Sequence, residues 1–308
     1  MKKGVVDMKE KVRNYRTERF KWYDFIFFLF IFAFLIILIG QEAGFILVDS
    51  VIGLLRIERN NDLVIFLSVN FAFIGIWIVV LLIFLIPSNR PMFRALGKRC
   101  KGNNIKLFLL GILIGFGTNA LCILCAVLHR DIYLYFSEAN IPVLVLLLVA
   151  VFIQATGEEL VMRVYLYQRL RRAYKSPAVA IVGNALIFAL LHLLNPGINP
   201  MAVASIIVAA VSFSLYVYYC DSIWLPMGVH MAWNYTQNIL FGLPNSGYVS
   251  KFSLFKLDAA TATNSFAYNV EFGVEATLMA VIVLVLCCFL TIYWGKKNNK
   301  KPTDIWST

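Results

Sequence analysis

Apolar residues run along the chain in long blocks separated by short polar connections. The blocks predict helices over roughly 24–40, 63–86, 107–128, 141–168, 177–194, 200–219, 222–243 and 270–294. Each is near the length that crosses a bilayer's hydrocarbon core, about 20 residues for about 30 Å. The fold class this predicts is all-α, a multi-pass transmembrane helical bundle of about eight spans. Trp22, Tyr23, Tyr218, Tyr219, Trp224 and Trp294 fall at block edges, where amphipathic rings suit the membrane interface. The first block is too long for a cleaved signal and has no small-residue cleavage site before it ends, so it reads as an uncleaved span.

Composition agrees: of 308 residues, 60% are hydrophobic and 15% charged, with a mean hydropathy of +0.77. That balance excludes a pair of soluble domains. A net charge of +11 would point to nucleic acid in a soluble protein, but here the cations lie in tails and connections between apolar blocks. The N-terminal tail, the 87–106 connection, the 169–176 turn and the C-terminal tail hold 22 of the 28 Lys and Arg. Arg56, Arg59, Arg130, Lys251 and Lys256 lie on the other side, and Arg163 lies inside the fourth block. Cations concentrate on the cytoplasmic side of membrane proteins, so both termini are expected there, in a cell membrane, with an even number of spans.

The six cysteines sit mostly inside apolar blocks. Cys122 and Cys125 form a C-x-x-C with no second pair, and they read as packing residues. No internal repeat is detectable, which predicts one helical membrane domain. Along the chain this gives a basic segment over 1–23, helices over 24–140, a chemistry-bearing core over 141–250, and an external loop, last span and basic tail over 251–308.

The chemistry centres on Gly157-Glu158-Glu159-Leu160-Val161-Met162-Arg163, inside a block that continues in helical register to about Arg172. A charge at membrane depth costs about 2.5–3.5 kcal/mol on insertion scales, so three ionisable groups this close need partners or a purpose. Glu159 and Arg163 are four residues apart and share a helix face, which predicts an ion pair. Glu158 points about 100° away, toward a cavity where it can exchange a proton.

Of three histidines, two lie within apolar blocks. His192 closes Phe188-x-x-x-His192, and His230 opens His230-x-x-x-Asn234. At about 1.5 Å per residue, Glu158, His192 and His230 all belong to the middle band of the membrane. Taken singly, His192 reads as a core histidine and Asn234 as an interhelical hydrogen-bonding residue. His129, beside Arg130 and Asp131, reads as interfacial, and Asp24, Asn70 and Asn119 have no spacing or partner that supports a role.

Together, E-E-x-x-x-R at 158–163, F-x-x-x-H at 188–192 and H-x-x-x-N at 230–234 resemble the CAAX protease and bacteriocin-processing family of intramembrane endopeptidases. The segment Gly242-Leu243-Pro244-Asn245-Ser246-Gly247 resembles the stretch that trails the last motif, so the resemblance covers about 141–250. Val164 departs from it, standing where many members carry Gly.

The resemblance implies a peptidase in which Glu158, assisted by His192, activates a water. His230 and Asn234 would stabilise the oxyanion, and Glu159 and Arg163 would hold the site. No cofactor is expected; the alternative is a zinc enzyme with Glu158, His192 and His230 as ligands. The partners implied are the bilayer and a membrane peptide or protein substrate, lipidated or plain, with no nucleic acid. Two other classes compete. A non-catalytic bacteriocin self-immunity protein has no need of a base and oxyanion donors, and a proton-coupled transporter is disfavoured by the lack of inverted repeats.

Overall fold

The computed structural model describes residues 20–307. The basic segment expected over 1–23 therefore lies largely outside the described residues. The helices are α1 (Ile26–Leu54), α2 (Asp62–Phe71), α3 (Ile74–Leu85), the short α4 (Met92–Leu96) and α5 (Ile105–Leu128). There follow α6 (Ile141–Glu159), α7 (Tyr167–Ala173), α8 (Pro177–Leu191), α9 (Pro200–Cys220), α10 (Trp224–Asn234) and α11 (Leu278–Lys297). A π-helical segment, Leu160–Leu166, joins α6 to α7, and a second, Tyr235–Leu240, extends α10.

Asparagines begin several of these helices. Asn61, Asn104, Asn140 and Asn199 each accept a backbone N–H of the first turn, and Thr277 does the same for α11. Such side chains satisfy N–H groups that have no partner within the helix.

Six helical stretches are long and apolar enough to cross a membrane: Ile26–Leu54, Asp62–Leu85, Ile105–Leu128, Ile141–Ala173, Pro200–Cys220 and Leu278–Lys297. The chain is a multi-pass membrane protein. The blocks expected over 177–194 and 222–243 form shorter helices, α8 and α10. At 15 residues α8 rises about 22 Å, less than the hydrocarbon core, and His192 caps its C-terminus.

Three further boundaries differ from the sequence reading. The first helix continues past residue 40 to Leu54, because Gly40 and Gly44 are contact points with α3 near Ile76 and Ala72 and do not end the helix. The second block breaks at Ala72–Phe73 into α2 and α3. The last helix begins at Leu278, which leaves residues 270–277 in the preceding loop. Two strands, β1 (Leu134–Phe136) and β2 (Phe255–Leu257), pair antiparallel with Leu134 opposite Leu257, a small addition to an otherwise all-α fold.

Lipid is as apolar as leucine, so helices in a membrane associate through close packing and polar contacts. Helices α5 and α10 run parallel. Gly111 and Gly115 meet the carbonyls of Leu225 and Val229, and Gly228 meets that of Phe108; a Cβ on any of the three would overlap those oxygens. Asn119, buried on α5, donates to Gln237 Oε1 at 2.8 Å. Asn184 on α8 donates to the Met162 carbonyl inside the first π segment and accepts from Ser214 Oγ of α9 at 3.4 Å.

One end of the bundle is basic. There, buried Asp24 accepts from Arg169 Nη1 at 2.8 Å and Arg172 Nε at 2.9 Å, so these are structural partners. Residues 302–307 fold back across this end. Trp306 Nε1 donates to the Gln168 carbonyl at 3.0 Å, Arg172 stacks on its ring at 4.3 Å, and Arg94 donates to the Ser307 carbonyl at 2.8 Å. At the opposite end the strand pair, the 244–277 loop and the N-terminus of α2 come together, tied by Lys251 Nζ to Asp62 Oδ2 at 2.9 Å.

Candidate active site

Glu158 and Glu159 are the last two residues of α6, directly before the first π segment, and Asn234 is the last residue of α10, directly before the second. Local widening of this kind is common at functional sites because it re-aims the side chains around it. It also interrupts the continuous helical register expected from Ile141 to Arg172. Arg163 nevertheless reaches Glu159, with Nε 3.2 Å from Oε2.

Arg163 is fully buried, with its guanidinium between the rings of Phe188 and Phe213 at 4.9 and 5.1 Å. Phe188, the first residue of F-x-x-x-H, thus covers the cation. The expected neutralisation of Glu159 has a second component: its Oε1 lies 2.9 Å from His230 Nδ1. One carboxylate therefore orients both the arginine and the histidine. With Nδ1 donating to Glu159, His230 turns Nε2 toward Glu158, whose Oε2 is 3.9 Å away.

Glu158 Oε1 accepts from Gln154 Nε2 at 2.5 Å, while Oε2 has no hydrogen-bond partner among the described residues. His192 Nδ1 lies 2.8 Å from the Phe188 carbonyl, an acceptor, so Nδ1 carries the proton and Nε2 is left with its lone pair. His192 makes no hydrogen bond to Glu158, but Glu158, His192, His230 and Asn234 line one cavity of about 580 Å³. Apolar side chains on three sides, Ile37 of α1, Ile65, Phe66 and Val69 of α2 and Leu191 at the end of α8, line it together with Gln41, Asp62 and Asn70. Among the described residues no three His, Cys, Asp or Glu side chains are grouped to hold a metal ion, so the zinc set Glu158, His192 and His230 does not fit and no step is derived through a metal.

Of three further polar residues of the site, Gln154 and Glu275 were not singled out from the sequence, and Asn245 was named only within the segment that trails the last motif. Gln154 lies one turn before Glu158. Asn234 Nδ2 donates to Gln154 Oε1 at 3.2 Å, and Asn234 Oδ1 accepts from Asn245 Nδ2 at 3.4 Å. Asn245 Nδ2 also donates to Glu275 Oε1 at 2.7 Å. Amides therefore connect two carboxylates: Asn245 Nδ2 donates both to Glu275 and to Asn234, and from Asn234 the donors run on through Gln154 to Glu158. This fixes the Asn234 NH2 as the group presented toward the cavity. Glu275 is held further by Trp233 Nε1 at 3.1 Å and the Ser246 backbone N–H at 2.8 Å. Burial pushes its carboxyl up to about 7, against the lowering effect of those donors and of His230. The available signal was an acid inside the block predicted over 270–294.

This arrangement belongs to a stretch that matches a family model: residues 140–236 match type II CAAX prenyl endopeptidase Rce1-like. The chain carries an Rce1-like CAAX endopeptidase domain. No curated protein and no solved structure matches the chain. The Rce1-like domain contains all three motifs, whereas Asn245 and Glu275, which orient Asn234, lie beyond it. Helices α1 and α2, also outside the domain, line part of its cavity.

Proposed function

We propose that this cavity is the active centre of an intramembrane endopeptidase that hydrolyses a peptide bond with a water activated by Glu158. The observation that carries the reading is Glu158, whose buried Oε2 has no hydrogen-bond partner among the described residues and which lines one cavity with His192, His230 and Asn234. A water there gives its proton to Glu158 as its oxygen attacks the scissile carbonyl, and His192 Nε2 accepts a second hydrogen bond from that water. Asn234 Nδ2, and His230 Nε2 when that nitrogen is protonated, donate to the oxyanion that forms. Such preorganised donors are usually the largest single contribution to acyl-transfer catalysis. Glu158 then returns the proton to the leaving amine. Glu159 and Arg163 act through His230.

The test is turnover of lipidated and plain quenched-fluorescent peptides in detergent by the wild-type protein and by Glu158→Gln. Loss of a positioned general base lowers turnover by about 10²–10⁴. Unchanged cleavage by Glu158→Gln overturns the assignment of the base.

A further inference from the structure

We infer that the cavity opens to the extracytoplasmic side, so that the substrate is an extended peptide presented outside the membrane. The inference rests on the endopeptidase reading of the site. It is carried by two independent features of the fold: where the mouth lies and where the cations lie.

From Glu158, His192 and Asn234 the cavity runs to Asp62, Tyr248 and Lys251. These last three belong to the end of the bundle formed by the start of α2 and the 244–277 loop. Toward the other end the way is closed. Leu160, Val161, Met162, Arg163, Val164, Leu166 and Leu170 are all fully buried and form a plug below Glu158.

The plugged end is the basic one. The described segments 20–25, 87–106, 169–176 and 296–301 hold 15 Lys and Arg. The end with the mouth holds five: Arg56, Arg59, Arg130, Lys251 and Lys256. Arg59 is paired with Asp49 at 2.6 Å and Lys251 with Asp62 at 2.9 Å. Lys and Arg in short connections stay on the cytoplasmic side during insertion, so the plugged end faces the cytoplasm and the mouth faces outward.

The walls complete the description of the substrate. Ile37, Ile65, Phe66, Val69 and Leu191, interspersed with Gln41, Asn70 and Asp62, make a mixed flank that suits an extended peptide with both apolar and polar groups. Tyr248 and Val249, at the rim, are about 60% exposed. A peptide reaching the site from the cytoplasm would have to displace the plug.

Two measurements test the proposal. In intact bacteria expressing variants with one added cysteine, a membrane-impermeant maleimide is expected to label Tyr248→Cys at least tenfold above the background from the six native cysteines of the wild type. Asn298→Cys, at the basic end, is expected to react only after permeabilisation. The reverse pattern overturns the proposal whether or not the protein is active.

The second measurement adds an impermeant quenched peptide to right-side-out and inside-out vesicles. Cleavage is expected in the former, and in the latter only after detergent is added. Cleavage confined to intact inside-out vesicles overturns the sidedness while leaving the endopeptidase reading standing. Absence of turnover in detergent overturns the endopeptidase reading and the substrate with it, and the labelling still decides which way the cavity faces.

Discussion

Glu159 Oε1 lies 2.9 Å from His230 Nδ1, and the other oxygen of the same carboxylate lies 3.2 Å from Arg163 Nε. This carboxylate is fully buried, so both contacts are made out of water. Glu159→Ala strips two groups of their partner at once. Leaving a buried charge such as Arg163 unpaired costs about 3–5 kcal/mol. Thermal unfolding in detergent should show a large drop in midpoint for Glu159→Ala and a much smaller one for Glu158→Gln, whose Oε2 makes no hydrogen bond and lies 3.9 Å from its nearest ionic partner, His230 Nε2.

Glu275 links pH to the site in two opposite senses. Its folded carboxyl is raised to about 7, against 4.5 ordinarily. Its stabilising contribution is therefore complete below about 4.5 and is lost as pH rises through about 7. Turnover should move the other way, because the ionised carboxylate is the form that accepts from Asn245, Trp233 and Ser246 and thereby sets the Asn234 amide. His230 is the titratable group facing it. Turnover measured across neutral pH is expected to rise through about 7 in the wild type, and Glu275→Gln to flatten that limb with KM little changed.

Gly228 tests whether helix spacing sets the catalytic geometry. A side chain there meets the Phe108 carbonyl and pushes α10 away from α5, two residues from His230. Gly228→Val is expected to abolish turnover although it touches none of the polar groups of the site. Gly117→Ala serves as the control, since a Cβ there meets nothing within 4 Å, and its turnover should match wild type.

At the basic end, Asp24→Ala leaves Arg169 and Arg172 buried without their carboxylate. The expected loss is about 3–5 kcal/mol in stability. Turnover per folded molecule should be retained, which unfolding curves and activity on the same sample will separate.

The sequence revealed the bundle because apolar runs of spanning length have few other uses. It also revealed Glu158, Glu159, Arg163, His192, His230 and Asn234 as candidates, because intramembrane polar groups stand out against such runs, and the fold gathers them around one cavity and its buried support. What it concealed has specific causes. Glycines at 40 and 44 look like a helix end in sequence, but in the fold they are where α1 meets α3. Asp24 had no partner within helical reach, because Arg169 and Arg172 come from a distant segment. Asn245 and Glu275 lie in a loop, where hydrophobic periodicity carries no information about contacts.

A π segment amounts to one residue inserted into an α-helix. Deleting a single residue ordinarily throws the far half of a helix out of phase. Within Leu160–Leu166 such a deletion would instead restore an ordinary α-helix. Because the extra residue is taken up locally, everything after the deletion would keep its phase, with Arg169 and Arg172 still at Asp24, and the cost would fall on the side chains beside the bulge. The extra residue thus serves the middle of the helix and not its base: it re-aims the side chains beside the polar cavity while the ion pair below stays in place.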